Sequence, residues 1–514
     1  LGAKSVSDWS AGYVTDIPYT YGVYRELFPS MLGFAALASG FLGPDFNSPL
    51  TYCELGCGQG YTSNLVAAAN PNIEVYANDF NPAHILGARA LAVAAGTRNV
   101  HFFDSSFAEF AVDATLPDFD IIVLHGIYSW INVENRQHIV DFIRRRLRIG
   151  GLVYISYNAL PAYASVMPLR RLLVDRAEAA HGSIVDRIEE AVAYARKLEV
   201  AGASYLSDPR VLEQFKKIKE SGRDYVVHEY FNQDWTAFYH ADVVADLNEA
   251  KLTYVGSAEL LSSVDAVNLT QAQRALLATA TTSVERETLR DYMLNQRFRR
   301  DIFVKGAVRL GPQAANARWM DMRFILSNGR EDVPLTVIGA RGEAELQREV
   351  YQPLLDTLAN GARTVAELMT DPRVVAIGGD RLRQALTVLV GAGQLQPSLD
   401  EAGDAARAAG TKLFNRKIIE QSQSSEQWRF LASPIFGGPV HLGRVSQLFL
   451  LAHEDGVADS PEFVCDALMS QGLGVAKHDG TKWETREENL AALNSLFEIF
   501  NAKQLPLLRS LGVA

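Results

Sequence analysis

The stretch Leu50-Thr51-Tyr52-Cys53-Glu54-Leu55-Gly56-Cys57-Gly58-Gln59-Gly60-Tyr61-Thr62-Ser63-Asn64-Leu65-Val66-Ala67-Ala68-Ala69 decides the fold. An apolar run, three glycines at alternate positions and an alanine-rich segment read as strand, turn and helix. Glycines let the backbone turn sharply and approach a ligand without a side chain in the way. A dinucleotide site would space them G-x-G-x-x-G and set helix N–H groups against a pyrophosphate. Here the spacing is G-x-G-x-G, and Glu54 puts negative charge where a pyrophosphate would be repelled. A cationic ligand with an amino-acid tail suits that turn. S-adenosylmethionine, leaving S-adenosylhomocysteine as product, is the expected cofactor.

Outward from the turn, residues 73–79, 99–104, 120–125 and 151–156 read as strands two to five. Residues 82–95 and 133–148 between them are long enough for crossover helices. The alternation predicts a parallel sheet covered on both faces, with ligands at the carboxyl ends of its strands. Residues 253–257 and 302–306 read as strands six and seven, with helical insertions at about 166–222 and 262–298. The expected class is α/β: a Rossmann-like, seven-stranded sheet, with the direction of the seventh strand left open. Segments 347–360, 364–370 and 380–393, followed by 394–396, have the helix and strand order of a winged helix. Residues 402–411, rich in Ala, Gly and Asp, read as a linker, and 412–514 as mostly helical. The predicted domains are 1–310, 311–400 and 401–514.

In a chain of 514 residues, 48% hydrophobic and 21% charged composition is that of an ordinary globular protein. A formal net charge of −11 leans against nucleic acid as substrate. Three cysteines build no disulfide framework, and Cys53 with Cys57 lack a second pair for zinc, so no metal is expected. No apolar stretch reaches the roughly 18–20 residues of a membrane span. Residues 1–5 lack the charged-then-apolar order of a signal peptide. Together these lead to the expectation of a cytoplasmic protein without membrane insertion.

Candidate cofactor residues follow from the strand ends. Glu54, Gly56, Cys57, Gly58 and Gly60 form the first loop. Asp79, with Phe80 beside it, ends strand two and can accept from both ribose hydroxyls. Asp104 ends strand three and can accept from an adenine amino group, with Ser105 and Ser106 nearby. Strands four and five end in His125-Gly126-Ile127-Tyr128-Ser129-Trp130 and Ser156-Tyr157-Asn158. These ends should face the methyl group, with His125, Tyr128, Trp130, Tyr157 and Asn158 as reaction-centre candidates. Aromatic rings there attract sulfonium and ammonium cations, although packing under a lid explains them equally well. His125 can take a proton or hold a cofactor contact. The Asn/Asp-Pro-Pro-aromatic tetrad of amino-methylating nucleic-acid enzymes is missing. Tyr13, Tyr19, Tyr21 and Tyr24, and separately Glu229 and Tyr230, are candidates for a lid that shapes the acceptor pocket.

These residues carry a family likeness. The runs 54–60, 79–82, 120–130 and 153–158 resemble class I S-adenosylmethionine-dependent methyltransferases that carry the methyltransferase regulatory domain. Residues 230–235 and 255–258 resemble that regulatory region, and 432–434 with 505–512 the family's tail. The best-understood members are bacterial lysine methyltransferases acting on outer-membrane proteins. The resemblance implies a protein lysine as acceptor, and middle and C-terminal domains that mediate substrate docking or homodimer formation. One departure stands out: Tyr21-Gly22-Val23-Tyr24-Arg25-Glu26-Leu27-Phe28 replaces a polar, histidine-containing stretch. A small-molecule or glycan acceptor therefore stays open, as does a non-catalytic, cofactor-binding regulatory protein.

Overall fold

A computed structural model describes residues 21–220, 232, 234–477 and 481–514. Tyr13, Tyr19, Glu229 and Tyr230 lie outside the described residues. The seven strands are β1 (Leu50–Leu55), β2 (Ile73–Asp79), β3 (Val100–Asp104), β4 (Phe119–Leu124), β5 (Leu147–Asn158), β6 (Leu252–Ser257) and β7 (Phe298–Lys305). They form one sheet in the order β3-β2-β1-β4-β5-β7-β6. β1 to β5 run parallel, and β7 inserts antiparallel to both β5 and β6. The order reverses between β1 and β4, and that switch point opens a crevice at the strands' carboxyl ends.

Alternate residues of each strand serve different cores, as a two-residue period requires. Tyr52, Ile121, Val123, Leu152 and Tyr154 face one cluster. Cys53, Ile122, Leu124, Val153, Ile155 and Tyr157 face the other. The first side is covered by α1 (Pro29–Ala38) and α2 (Tyr61–Ala69); α3 (Pro82–Ala94) packs through Ile85, Ala88 and Ala92 against Phe102. α4 (Phe107–Val112) and α5 (Val133–Arg146) cover the second side. The first insertion is the expected helical one. Its helices α6 (Met167–Ala179), α7 (Ile184–Val200) and α8 (Pro209–Glu220) share a small core of their own around Leu173, Ala195 and Phe215. The second insertion holds helices Asp265–Asn268, Gln271–Leu277 and Ser283–Leu294.

The region after β7 departs from expectation in two ways. Helices Arg348–Leu358, Val365–Leu368 and Gly379–Gly391 and strand Leu395–Ser398 match the predicted segments. However, that strand pairs with Arg323–Leu326, which precedes the helices. A turn and a long helix follow Ser398 rather than a returning wing strand, so the winged-helix reading is not confirmed. The expected linker at 402–411 is instead the start of helix Asp404–Gln421. Its small residues serve close packing: a Cβ added at Gly410 would stand 2.7 Å from the Ala68 carbonyl oxygen on α2. Leu395, Phe414, Leu431 and Leu450 join the same buried cluster as Tyr52 and Ile121. The mostly helical C-terminal region is thus welded to the sheet rather than tethered to it.

Candidate functional site

The loop after β1 is built on backbone that side chains disfavour. Gly56, Gly58 and Gly60 take φ of +69°, +53° and +65°. A Cβ at Gly56 would collide with the Ile127 side chain, and one at Gly60 would come 2.5 Å from the Ala88 methyl. Glycine is needed for both the conformation and the space. The Cys57 N–H donates to the Asn78 carbonyl (2.9 Å) and the Gly58 N–H to Asp79 Oδ2 (2.9 Å), pinning the loop to the end of β2. The resulting cavity is lined by this loop, by the ends of β2 and β4, and by residues just after β3.

Two carboxylates stand in it. Glu54 is buried and accepts from Ser63 Oγ on α2. Burial pushes its carboxyl up to about 7; the Ser63 bond opposes that shift and the nearby Asp79 charge adds to it. Asp79 is more heavily bonded. Besides Gly58, it accepts through Oδ1 from the Asn81 N–H (2.9 Å) and approaches His84 Nδ1 (3.2 Å). An ionised carboxylate offers about four acceptor positions. Three are engaged, which narrows the expected pair of ribose contacts to about one further donor. His84 comes from helical spacing: Asn81 caps α3 by accepting from the Ala83 N–H (3.0 Å) and turns its amide NH2 toward His84 Nε2 (3.5 Å). With Nε2 accepting there, Nδ1 carries the proton toward Asp79.

Phe80, Ser105 and Ser106 line the cavity as expected, but Asp104 does not. Asp104 is exposed; β3 is the sheet edge, where a carboxylate is cheapest to hydrate. Ser106 is spent on α4, exchanging hydrogen bonds with Glu109 as a capping box. Ser105 Oγ and Asn78 Oδ1 are buried without partners among the described residues, and both residues line the cavity. Orphaned buried polar atoms cost stability unless a ligand or water satisfies them. A nucleoside edge would supply the missing partners, so the site fits the expected cofactor.

At the reaction-centre end, His125 Nδ1 lies 2.8 Å from the Tyr154 hydroxyl and 3.3 Å from Ser156 Oγ. Ser156 Oγ also accepts from the Gly126 N–H at 2.8 Å. Tyr24 stacks on the His125 ring at 3.7 Å. Burial, reinforced by the Arg300 charge, pulls the imidazole down to about 3, so it is neutral at physiological pH. Trp130 lines the cavity. Tyr128, Tyr157 and Asn158 do not, which corrects the sequence expectation. Tyr128 is buried and donates to Asp246 Oδ2 (2.8 Å). Tyr157 faces the opposite side of β5, where its hydroxyl donates to Asp301 Oδ2 (2.6 Å) beside His240. Asn158 is buried at the strand end, its N–H donating to Ser129 Oγ (2.9 Å). Counting alternate positions along β5 would have selected Tyr154 and Ser156 instead.

The roof comes from the chain's early residues and the C-terminal region. Tyr21 sits against Trp428 (4.2 Å) and Tyr61 (6.5 Å), outside the cavity lining, and Thr62 Oγ1 approaches the Gly22 carbonyl at 3.4 Å. Tyr61, the first residue of α2, donates to the Phe430 carbonyl (2.5 Å) and accepts from its N–H (3.1 Å). The helix that follows the glycine loop is therefore fastened to the C-terminal hairpin of Phe430–Ser433 and Gly438–His441. Asn78, His84 and Tyr154 are site residues that sequence reasoning passed over, whereas Tyr24 belonged to the expected aromatic lid cluster and Ser156 to the expected strand end. Only the strand period and the Asn81 cap signal pointed to any of them.

Residues 53–153 match the family model described as "Methyltransferase domain", and residues 222–305 the one described as "Predicted methyltransferase regulatory domain". An uncharacterized protein of Synechocystis, sll1526, is 43% identical over 507 residues, covering 98% of this chain and 100% of its own length. Rickettsia prowazekii RP789 is 26% identical over 55% of this chain and 51% of its own. Among solved structures, PKMT2 from Rickettsia typhi in complex with AdoHcy aligns with a TM-score of 0.66 at 16% identity, over 94% of this chain and 98% of that one. At that identity the likeness speaks for the fold.

Proposed function

The chain belongs to the S-adenosylmethionine-dependent methyltransferases that carry the methyltransferase regulatory domain, and from that premise we propose that it methylates the side-chain amine of protein lysines in the cytoplasm. When bound, S-adenosylmethionine supplies an activated methyl group on a sulfonium. We assign Glu54 and the glycine loop to its charged amino-acid end, Asp79 to the ribose, and Asn78 with Ser105 to the base. Aromatic Tyr24 and Trp130 suit the neighbourhood of a cation, and interactions of this kind are worth about 0.5–2 kcal/mol. The partition into residues 1–310, 311–400 and 401–514 belongs to the same proposal, with no hinge implied between the parts.

One observation carries the choice of acceptor. The group best placed to be a base, His125, is made a weak one, its conjugate acid held near 3 by burial, and its Nδ1 faces the Tyr154 hydroxyl. A hydroxyl acceptor needs a base as it attacks; an amine that arrives unprotonated does not. Its lone pair forms the new carbon–nitrogen bond while the carbon–sulfur pair remains on sulfur. The proton was given up to water beforehand. Positioning then supplies most of the acceleration. A small-molecule acceptor is the second reading, favoured by Tyr24, which closes the cavity against a bulky partner.

Methyl-labelled donor incubated with cell extract tests this, followed by separation of proteins from metabolites and hydrolysis to amino acids. Label in methyl-lysine supports the proposal; label confined to metabolites refutes it. With an amine acceptor and limiting chemistry, the rate climbs from about pH 7 to 9, toward the lysine value near 10.4. At saturating cofactor, where the Glu54 titration is suppressed, no inflection near 6.5 is expected, because His125 stays neutral throughout.

A further inference from the structure

A second cavity, of about 870 Å3, lies between the sheet domain, the middle helices and the C-terminal hairpin. That is toward the upper end of the roughly 300–1,000 Å3 of small-molecule sites. Tyr24 borders both this cavity and the cofactor cavity, and its ring covers His125. Tyr24 precedes a single turn, Arg25–Leu27, whose Leu27 is buried and whose Arg25 donates to the Val390 carbonyl. The turn is thus anchored on both sides, and Tyr24, in extended backbone just ahead of it, is joined to it by the Leu27 N–H donating to the Tyr24 carbonyl (3.1 Å).

The wall chemistry is selective. Arg300 is paired with Glu259 (3.2 Å) and Lys503 with Asp332 (2.7 Å). Glu26 is half-buried on the same wall; it has no ion pair within 4 Å among the described residues, and it shares the field of Arg25 and Arg300 at longer range. Its charge reaches the reaction centre: the Tyr154 hydroxyl is pushed well up, first by burial and then by Glu26. Around it lie apolar surfaces from Phe430, Val440 and Leu507. An aliphatic stem ending in an ammonium matches such a wall, with the stem on the apolar side and the cation on Glu26.

We propose that this interdomain cavity is the acceptor vestibule, that it receives an extended, lysine-bearing segment of a partner protein, and that Tyr24 is the gate through which the amine reaches the methyl group. The inference rests on the lysine reading above. It adds that Glu26 collects the ammonium before it deprotonates and that the C-terminal hairpin forms one wall of the acceptor site. Swinging Tyr24 off His125 joins the two cavities without disturbing the glycine loop.

The test uses the full chain, the labelled-donor extract assay, and three variants: Glu26→Gln, Val440→Trp and Tyr24→Ala. Each is first checked by calorimetry for cofactor affinity and by thermal melting with cofactor bound. Glu26→Gln should raise the acceptor KM about tenfold while cofactor affinity stays within about twofold. Val440→Trp should narrow the vestibule and lower kcat/KM for protein acceptors by at least about tenfold with an unchanged melting temperature. Tyr24→Ala should increase cofactor exchange rates. Wild-type labelling of protein with unimpaired Glu26→Gln and Val440→Trp overturns the vestibule and leaves the lysine reading standing. Wild-type labelling of metabolites alone overturns both the lysine reading and the peptide occupant.

Discussion

Cofactor binding should be linked to proton release from Glu54, and the structure sets the size of the effect. Burial holds this carboxyl at about 7 in the unliganded protein, above its usual range, so it is protonated below neutral pH. A cationic ligand favours the carboxylate. Binding at pH 7 should therefore expel about half a proton, and below pH 7 affinity should fall toward tenfold per pH unit. From pH 8 to pH 6 the total loss is about tenfold, or about 1.4 kcal/mol. The amino group of the ligand itself titrates near 7.7–8.0 by the reference scale, so the informative range lies below about pH 7.5. Calorimetry in buffers of different ionisation heats measures the proton count directly. Glu54→Gln should weaken binding by roughly 10–100-fold at pH 7.5 and abolish the released proton. At pH 6, where the native carboxyl is already protonated, the gap between the two proteins should shrink about tenfold. A proton count of zero in the wild type, or an unchanged pH dependence in Glu54→Gln, would refute the assignment.

Three other outcomes follow from particular contacts. Gly410→Val should push helix Asp404–Gln421 off the Ala68 carbonyl and cost about 1–3 kcal/mol, read as a lower melting temperature; an unchanged melt would contradict the docking. Tyr157→Phe should lower stability by about 1–3 kcal/mol through loss of its bond to Asp301, yet leave kcat of the folded enzyme within about twofold. A large fall in kcat at normal stability would restore Tyr157 to the reaction centre. His84→Leu should weaken cofactor binding about tenfold by releasing Asp79 Oδ1, with His84→Gln recovering part of the loss by calorimetry. Equal affinities for the two variants would rule out this positioning role.

How much of the site was legible depended on distance along the chain. Glu54, Gly56, Cys57, Gly58, Asp79 and Phe80 are local to two strand ends, and all line the cavity. Asp104 has the same local signature, but it sits on an edge strand and turns to water. Tyr157 was read by its place at a strand end, whereas its partner face was decided by Asp301 on β7 and by His240, far along the chain. The segment 402–411 has linker composition because small residues also suit close helix contact, and only the nearness of Ala68 distinguishes the two.

The sequence by itself determined the order of strands and crossovers, the glycine loop with its acidic neighbours, and hence the kind of cofactor. Those features arise from side-chain period and backbone stereochemistry within a few residues. Only the tertiary structure decided which face of β5 meets the cavity, that Tyr24 covers His125, and that the C-terminal hairpin fastens the first turn of α2. Such contacts join residues from about a hundred to nearly four hundred positions apart, and their energies come from burial and shape, which no local pattern encodes.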